Sequence, residues 1–428
     1  MASSPGAGMA PAPPPPDRAS LGRAVAALYT SHDPAERLAA DEWLQNFLRS
    51  DHAWPLSIEL LRDATDLTSL EALFCARALH VLLRKSVVKA TRTQQSHAVL
   101  GENDWVAMRD ALLALAWSFS VKVFVGNAGG QVEAPPRAVL TQVSLAISAL
   151  ACKMDAWDAG SVVADLLARF GRAEGGDASS PASSPTTSAP RAARALAARH
   201  PLVSSAVDPR FPGAVVLGAV GERLLVAAGE ACVVSVLEVL PEEAASKDLS
   251  IHPRRRAAIV DGLRGAAAAL AFPALDALAA KAFLVSSSSN GGAEDTDHHA
   301  RAAALRAAAA WASFDENIEP GACPGAALDR AVAVLSVFEN DPRNDPHHLV
   351  VDAAVTLATA ALSGAVHRGG ARRRALAEKL GALRASAAGG GPLSALDGVR
   401  ERRARAAEVL ASVACRAALP PAVSALEH

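Results

Sequence analysis

An all-α fold, a right-handed α-solenoid of HEAT- or ARM-like helical hairpins, is what the sequence predicts, and three observations predict it. Ala and Leu dominate while aromatic residues make up only 4% of the chain, so helix propensity is high and strand-favouring tracts are short. Apolar residues recur at three- and four-residue spacing, the period of one helix face. The helical runs pair off at roughly 35 to 45 residues, which is the period of HEAT-type repeats. At 428 residues the chain also exceeds what a single compact core usually supports, and stacked hairpins remove that limit because each buries its apolar surface on its neighbours.

The elements follow in order. Met1 to Asp17 is rich in Pro, Ala, Gly and Ser, cannot bury apolar surface, and reads as a disordered tail (1–17). An N-terminal block of repeats is expected over 19–154. Its first helix runs from about Ser20 to Tyr29. The second starts after Ser31-His32-Asp33-Pro34, with Asp33 as N-cap and Pro34 at the first helical position. A second pair covers Pro55 to Arg62 and Thr68 to Val87, where Thr68 and Glu71 have capping-box spacing. On that last helix Arg77, His80 and Arg84 form a narrow polar strip on an otherwise apolar cylinder, the pattern of a helix packed on several sides. In the third pair Trp105, Met108, Leu112, Leu115 and Phe119 repeat at 3, 4, 3, 4, as do Leu140, Val143, Ile147, Leu150 and Met154.

Further repeats are expected over 155–418, broken by low-complexity inserts between repeats at 171–190 and 286–296. Helices resume at Gly218 to Leu240, Pro253 to Phe283, Ala300 to Phe314, Gly325 to Phe338, His347 to Ser363, Ala371 to Ala385 and Leu393 to Ala418. Pro241-Glu242-Glu243 reads as a new helix start, with Pro at the first position and acids in the first turn. Arg254 to Arg256, and the basic runs Arg372 to Arg374 and Arg400 to Arg405, read as solvated helix faces. Trp43 and Trp54 read as packing residues at the joint of a hairpin.

Composition excludes several classes. A net charge of −2 gives no global field for nucleic acid or an anionic membrane. The tail lacks the basic start and apolar core of a secretory signal, and no uncharged apolar run of about 18 residues is free of Gly and Pro. Cys75, Cys152, Cys232, Cys323 and Cys415 are widely spaced within apolar runs, as free buried thiols are, and no C-x-x-C occurs. His298-His299 and His347-His348 are adjacent pairs that point apart on a helix, so no metal site is expected. None of the phosphate-loop, nucleophile-elbow or zincin motifs is present, so neither catalysis nor a cofactor is expected.

Two stretches carry a resemblance to a known family. Ala40-Asp41-Glu42-Trp43-Leu44, running on to Ser50-Asp51-His52-Ala53-Trp54, is similar to the opening repeat of the transportin-SR and importin-13-like group of the importin-β superfamily. Leu237 to Arg256, with Leu240-Pro241-Glu242-Glu243 and Arg254-Arg255-Arg256, is similar to a segment of the same group. Weaker likeness appears at Thr141 to Ile147 and Leu305 to Phe314, so that the resemblance extends from Leu21 to Ala361. It implies a nuclear import receptor that shuttles between nucleus and cytoplasm and binds Ran-GTP through its N-terminal repeats. It also implies carriage of serine/arginine-rich or other RNA-binding proteins and contact with nuclear-pore Phe-Gly repeats, with neither direct nucleic-acid binding nor a membrane. Receptors of this group are longer, so the chain corresponds to their N-terminal half and is expected to be a truncated form. From helical geometry, the candidate Ran contacts are Asp41, Gln45, Arg77, His80 and Arg84. The candidate contacts to other partners are Glu242, Glu243, Arg255 and Arg256. The alternative is an α-solenoid scaffold that binds proteins without transporting them.

Overall fold

The computed structural model describes residues 16–62, 68–92, 102–127, 135–154, 157, 159–170, 214–246, 251, 253–285, 294–314 and positions scattered between 349 and 360. Among them every regular element is helical, and the architecture is an all-α helical solenoid. The expected runs from 325 to 338 and from 371 onward, the basic runs within the latter, His347-His348, Cys323 and Cys415 lie outside the described residues.

Helices α1 (Arg18–Thr30) and α2 (Pro34–Phe47) form the first hairpin, and α3 (Ala53–Arg62) with α4 (Ser69–Arg92) the second. Next come α5 (Glu102–Asn127) with α6 (Pro135–Ala151), and α7 (Ala159–Phe170) with α8 (Ala214–Ala245). The fifth pairs a broken helix, α9 (Pro253–Ala266) continuing as α10 (Phe272–Val285), with α11 (Glu294–Phe314). Helices α4, α6, α8 and α11 pack one on the next as one layer, and α3, α5, α7 and α9 lie along the other. Buried side chains from Leu21 through Leu112, Ile147, Leu237 and Trp311 to Leu357 form one continuous core along the array, as stacked repeats require.

Local chemistry sets the boundaries. Asp17 and Ser20 cap α1 reciprocally, Asp17 Oδ1 accepting from the Ser20 N–H at 2.8 Å and Ser20 Oγ from the Asp17 N–H at 3.1 Å. Asp33 caps α2 as expected, with Pro34 at its start. Thr68 and Glu71 close the capping box of α4: the Thr68 N–H donates to Glu71 Oε2 at 2.9 Å and the Glu71 N–H to Thr68 Oγ1 at 3.3 Å. Trp43 is half-buried and stacks on Phe47 of the same helix with ring centroids 5.8 Å apart, and Phe47 in turn meets Phe74 of α4 at 6.3 Å, joining the first two hairpins. On α5 the residues between the expected core positions, Leu113, Ala116, Trp117 and Ser120, are buried too, because α5 packs against both α6 and α8.

Three readings change. Helix α11 begins at Glu294, so that 294–296, expected within the second insert, and His298-His299 are helical, whereas the insert expected at 171–190 lies outside the described residues. Pro241 does not start a helix; it lies inside the last turn of α8. Proline removes the N–H that would bond the carbonyl of Leu237, and the indole N–H of fully buried Trp311 on α11 donates to that carbonyl at 2.8 Å instead. Finally, the single run expected from Pro253 to Phe283 is broken by a π turn at Ala267–Ala271, immediately before Phe272-Pro273. A wider turn there accommodates a proline that can neither donate nor tolerate the carbonyl four residues back.

The composite helix Pro253–Ala279 is long and apolar enough to cross a membrane by length and composition. Its Ile259, Leu263, Ala266 and Leu275 are buried in the array, and Arg254, Arg255, Arg256, Asp261 and Arg264 fall within its span. These are features of a core helix.

Candidate functional site

Four of the residues singled out in the sequence, His80, Arg84, Glu243 and Arg255, converge on one place, the edge of the array where α6 and α8 end and α9 begins. His80 and Arg84 lie four residues apart on one face of α4. Both reach Glu243 in the last turn of α8: His80 Nε2 is 3.4 Å and Arg84 Nε 3.1 Å from the same Oε1. The Glu243 side chain is only 9% exposed, whereas that of Arg84 is 37% exposed. Arg84 also donates through Nη2 to Ser246 Oγ at 2.6 Å.

The contacts continue around the end of α6. Lys153, just past that helix, donates its ammonium to the carbonyls of Leu83 and, at 2.9 Å, of Arg84 on α4. Arg255, in the first turn of α9, donates through Nε to the Cys152 carbonyl at 3.3 Å and through Nη2 to that of Met154. The covalent chain from Ser246 to Arg255 closes the circuit. The result is a ring that runs α4, α8, α9, α6 and back to α4, joining hairpins two, three, four and five.

Electrostatics explain why the ring forms. Glu243 sits at a helix C-terminus and Arg255 at a helix N-terminus, each at the wrong end of its own dipole. Each is compensated by a neighbour: Glu243 by the α4 cations, and Arg255 by the carbonyls at the end of α6, where a cation is favoured. Cys152 is buried at the hub. Burial pushes its thiol up to about 12, Glu243 pushes the same way, and Arg255, Lys153 and Arg256 oppose.

The remaining candidates separate. Asp41 and Gln45 are exposed on α2, Arg77 is exposed on α4, and Glu242 is exposed one residue before Glu243. Arg255 and Arg256 are half-buried. Sequence reading had no reason to select Lys153, Cys152 or Ser246. The signal that points to them is a pair of charges at unfavourable helix ends, visible only once α8 continues through Pro241. Among the described residues no group of three His, Cys, Asp or Glu side chains is placed to hold a metal ion.

A second cluster lies further along the same layer. Arg306 Nε on α11 donates to Glu238 Oε1 on α8 at 2.8 Å. Arg137 on α6 is held below the usual arginine range by desolvation and by Arg306, with Glu238 opposing.

The fold and the ring define a class: a stack of helical hairpins whose extended surfaces suit protein recognition. Comparison with known proteins agrees. The chain is 30% identical over 146 residues to Transportin MOS14 of Arabidopsis thaliana, a match that takes in 33% of this chain and 13% of that protein. This partial likeness supports the importin-β superfamily over the stretch it covers. No family model matches the chain.

Proposed function

We propose that the chain acts by binding, as part of a nuclear transport receptor of the transportin-SR and importin-13-like group, here in a short form. It engages Ran-GTP and carries serine/arginine-rich or related RNA-binding proteins past pore Phe-Gly repeats, moving between cytoplasm and nucleus. The observation that carries this reading is the partial identity to a transportin, in a chain whose hairpin stack matches the transportin fold class. Of the candidate GTPase contacts, Asp41, Gln45 and Arg77 are exposed and available for direct contact. His80 and Arg84 are engaged by Glu243 and act through the ring. Glu242 is the exposed member of the second candidate set.

The test is binding of the immobilised chain to Ran loaded with a non-hydrolysable GTP analogue, against Ran-GDP. The reading expects a preference for the GTP form of at least about tenfold, a difference of about 1.4 kcal/mol. It also expects the combined variant Asp41→Lys, Gln45→Ala and Arg77→Glu to lose that preference while keeping its helical content. Equal or absent binding to both nucleotide forms refutes the receptor reading and leaves a scaffold.

A further inference from the structure

We propose that the ring formed by His80, Arg84, Glu243, Ser246, Lys153 and Arg255 is a conformational latch: closed, it makes hairpins two to five one rigid block, and open, it lets the array bend between them.

A solenoid is held by contacts between neighbouring repeats, so each interface flexes on its own and the bends add along the array. The ring departs from that rule. Helices α4 and α8 belong to hairpins two and four, with α6 between them, yet Glu243 and Ser246 at the end of α8 hold His80 and Arg84 on α4 directly. Lys153 and Arg255 then tie the end of α6 to α4 on one side and to α9 on the other. A link that skips a repeat constrains two interfaces at once.

Beneath the ring, helices α6 and α8 are joined by a polar contact, Ser144 Oγ donating to Ser235 Oγ at 3.1 Å. The link lies at the rim of the array: the Arg84 side chain is 37% exposed, so that its rotation into solvent releases Glu243 without unfolding a helix. The latch stands whether or not the chain binds a GTPase.

The test reads distances in the full chain. Spin labels are placed at Glu36→Cys on α2 and Asp261→Cys on α9, both exposed positions on either side of the ring, in a Cys323→Ser/Cys415→Ser background. The buried Cys75, Cys152 and Cys232 stay unlabelled while the protein is folded. A second pair, Glu42→Cys and Glu59→Cys, both exposed, reports on the interface between hairpins one and two, which the ring does not bridge.

In Glu243→Ala/Ser246→Ala, which removes both side chains that hold α4 to the end of α8, the 36–261 distance distribution widens about twofold, as expected when one rigid block gives way to separately flexing interfaces. The 42–59 distribution is unchanged. Arg255→Ala does the same at another link, and combining it with Glu243→Ala/Ser246→Ala widens no further, because a ring cut once is already open. Should Glu243→Ala/Ser246→Ala fail to fold, Glu243→Gln/Ser246→Ala keeps the shape and an acceptor without the charge, and a smaller widening is expected. Unchanged widths in folded Glu243/Ser246 and Arg255 variants overturn the latch. So does a combined variant whose widening is the sum of the two.

Discussion

The indole of Trp311 and the ring of Pro241 form a matched pair, and their coupling can be measured. Pro241 leaves the Leu237 carbonyl without its helical donor, and the Trp311 N–H takes that place at 2.8 Å. Trp311→Phe removes the donor in a fully buried setting, so the carbonyl is stranded. An unsatisfied buried acceptor costs about 1–3 kcal/mol, and the smaller ring adds a packing loss of about 1–2 kcal/mol. Pro241→Ala restores the backbone N–H, and therefore gains more in the Trp311→Phe background than in the parent. The expected coupling is about 1–2 kcal/mol, from a double-mutant cycle in urea followed by far-UV circular dichroism. Because repeat arrays can unfold in stages, the cycle is read on the transition that includes α8 and α11, identified by the loss of buried tryptophan fluorescence in the parent. A coupling within about 0.3–0.5 kcal/mol of zero would refute the substitution of indole for amide.

Other substitutions follow from the same packing. At Gly229 an added Cβ would lie 2.6 Å from the Phe170 backbone carbonyl oxygen and 3.4 Å from Trp117 Cζ3, so Gly229→Ala forces α8 away from the end of α7 at a cost of about 1–3 kcal/mol. Gly265 has open space around it, and Gly265→Ala instead stabilises by about 0.5–1 kcal/mol; chemical denaturation of the two variants should give opposite signs. Thr68→Ala removes the cap of α4 and costs about 1 kcal/mol. Gly22→Ala pushes on Glu71 of the same capping box, so the two together cost less than their sum in the same assay. Alkaline pH weakens the fold: the thiols of Cys75, Cys152 and Cys232 are raised by burial from 9.0 to about 12. The unfolded chain therefore releases these protons first, and stability is intact below pH 9 and falls above it, by about 1.4 kcal/mol per thiol at pH 10. Urea midpoints that do not fall between pH 8 and 10 would contradict this.

Hairpins and caps were legible in the sequence because they rest on local signals. Asp33-Pro34 and Thr68 with Glu71 act within a few residues, and the 3-and-4 spacing of Leu140 to Met154 needs only one face to be buried. What could not be read depends on partners far along the chain. Pro241 followed by two acids satisfies every local rule for a helix start, yet a donor 70 residues away on α11 lets the helix run through it. At the candidate site, His80 and Arg84 were visible as a polar strip, but the strip could equally have faced solvent or a buried acid. Only the position of Glu243 decides between them.

The placement of that acid also changes what the likeness around Leu237 to Arg256 can mean. Within this stretch the Leu237 carbonyl accepts from Trp311, Glu238 pairs with Arg306, Glu243 and Ser246 hold α4, and Arg255 caps the end of α6. Each of these positions has an internal partner, so the pattern is accounted for by the demands of a joint between hairpins. A solenoid that must keep the same joint will keep the same residues whichever protein it binds. The likeness therefore bears on architecture more strongly than on partner choice. Direct recognition then falls to positions the joint leaves exposed: Asp41, Gln45 and Arg77 on the first two hairpins, and Glu242 beside the ring. Arg77 is one turn from His80, on the same polar strip of α4 that holds the joint, so a ligand bound there presses on the element that sets the rigidity of hairpins two to five. Any two ligands that prefer different states of that element oppose one another by linkage, without touching.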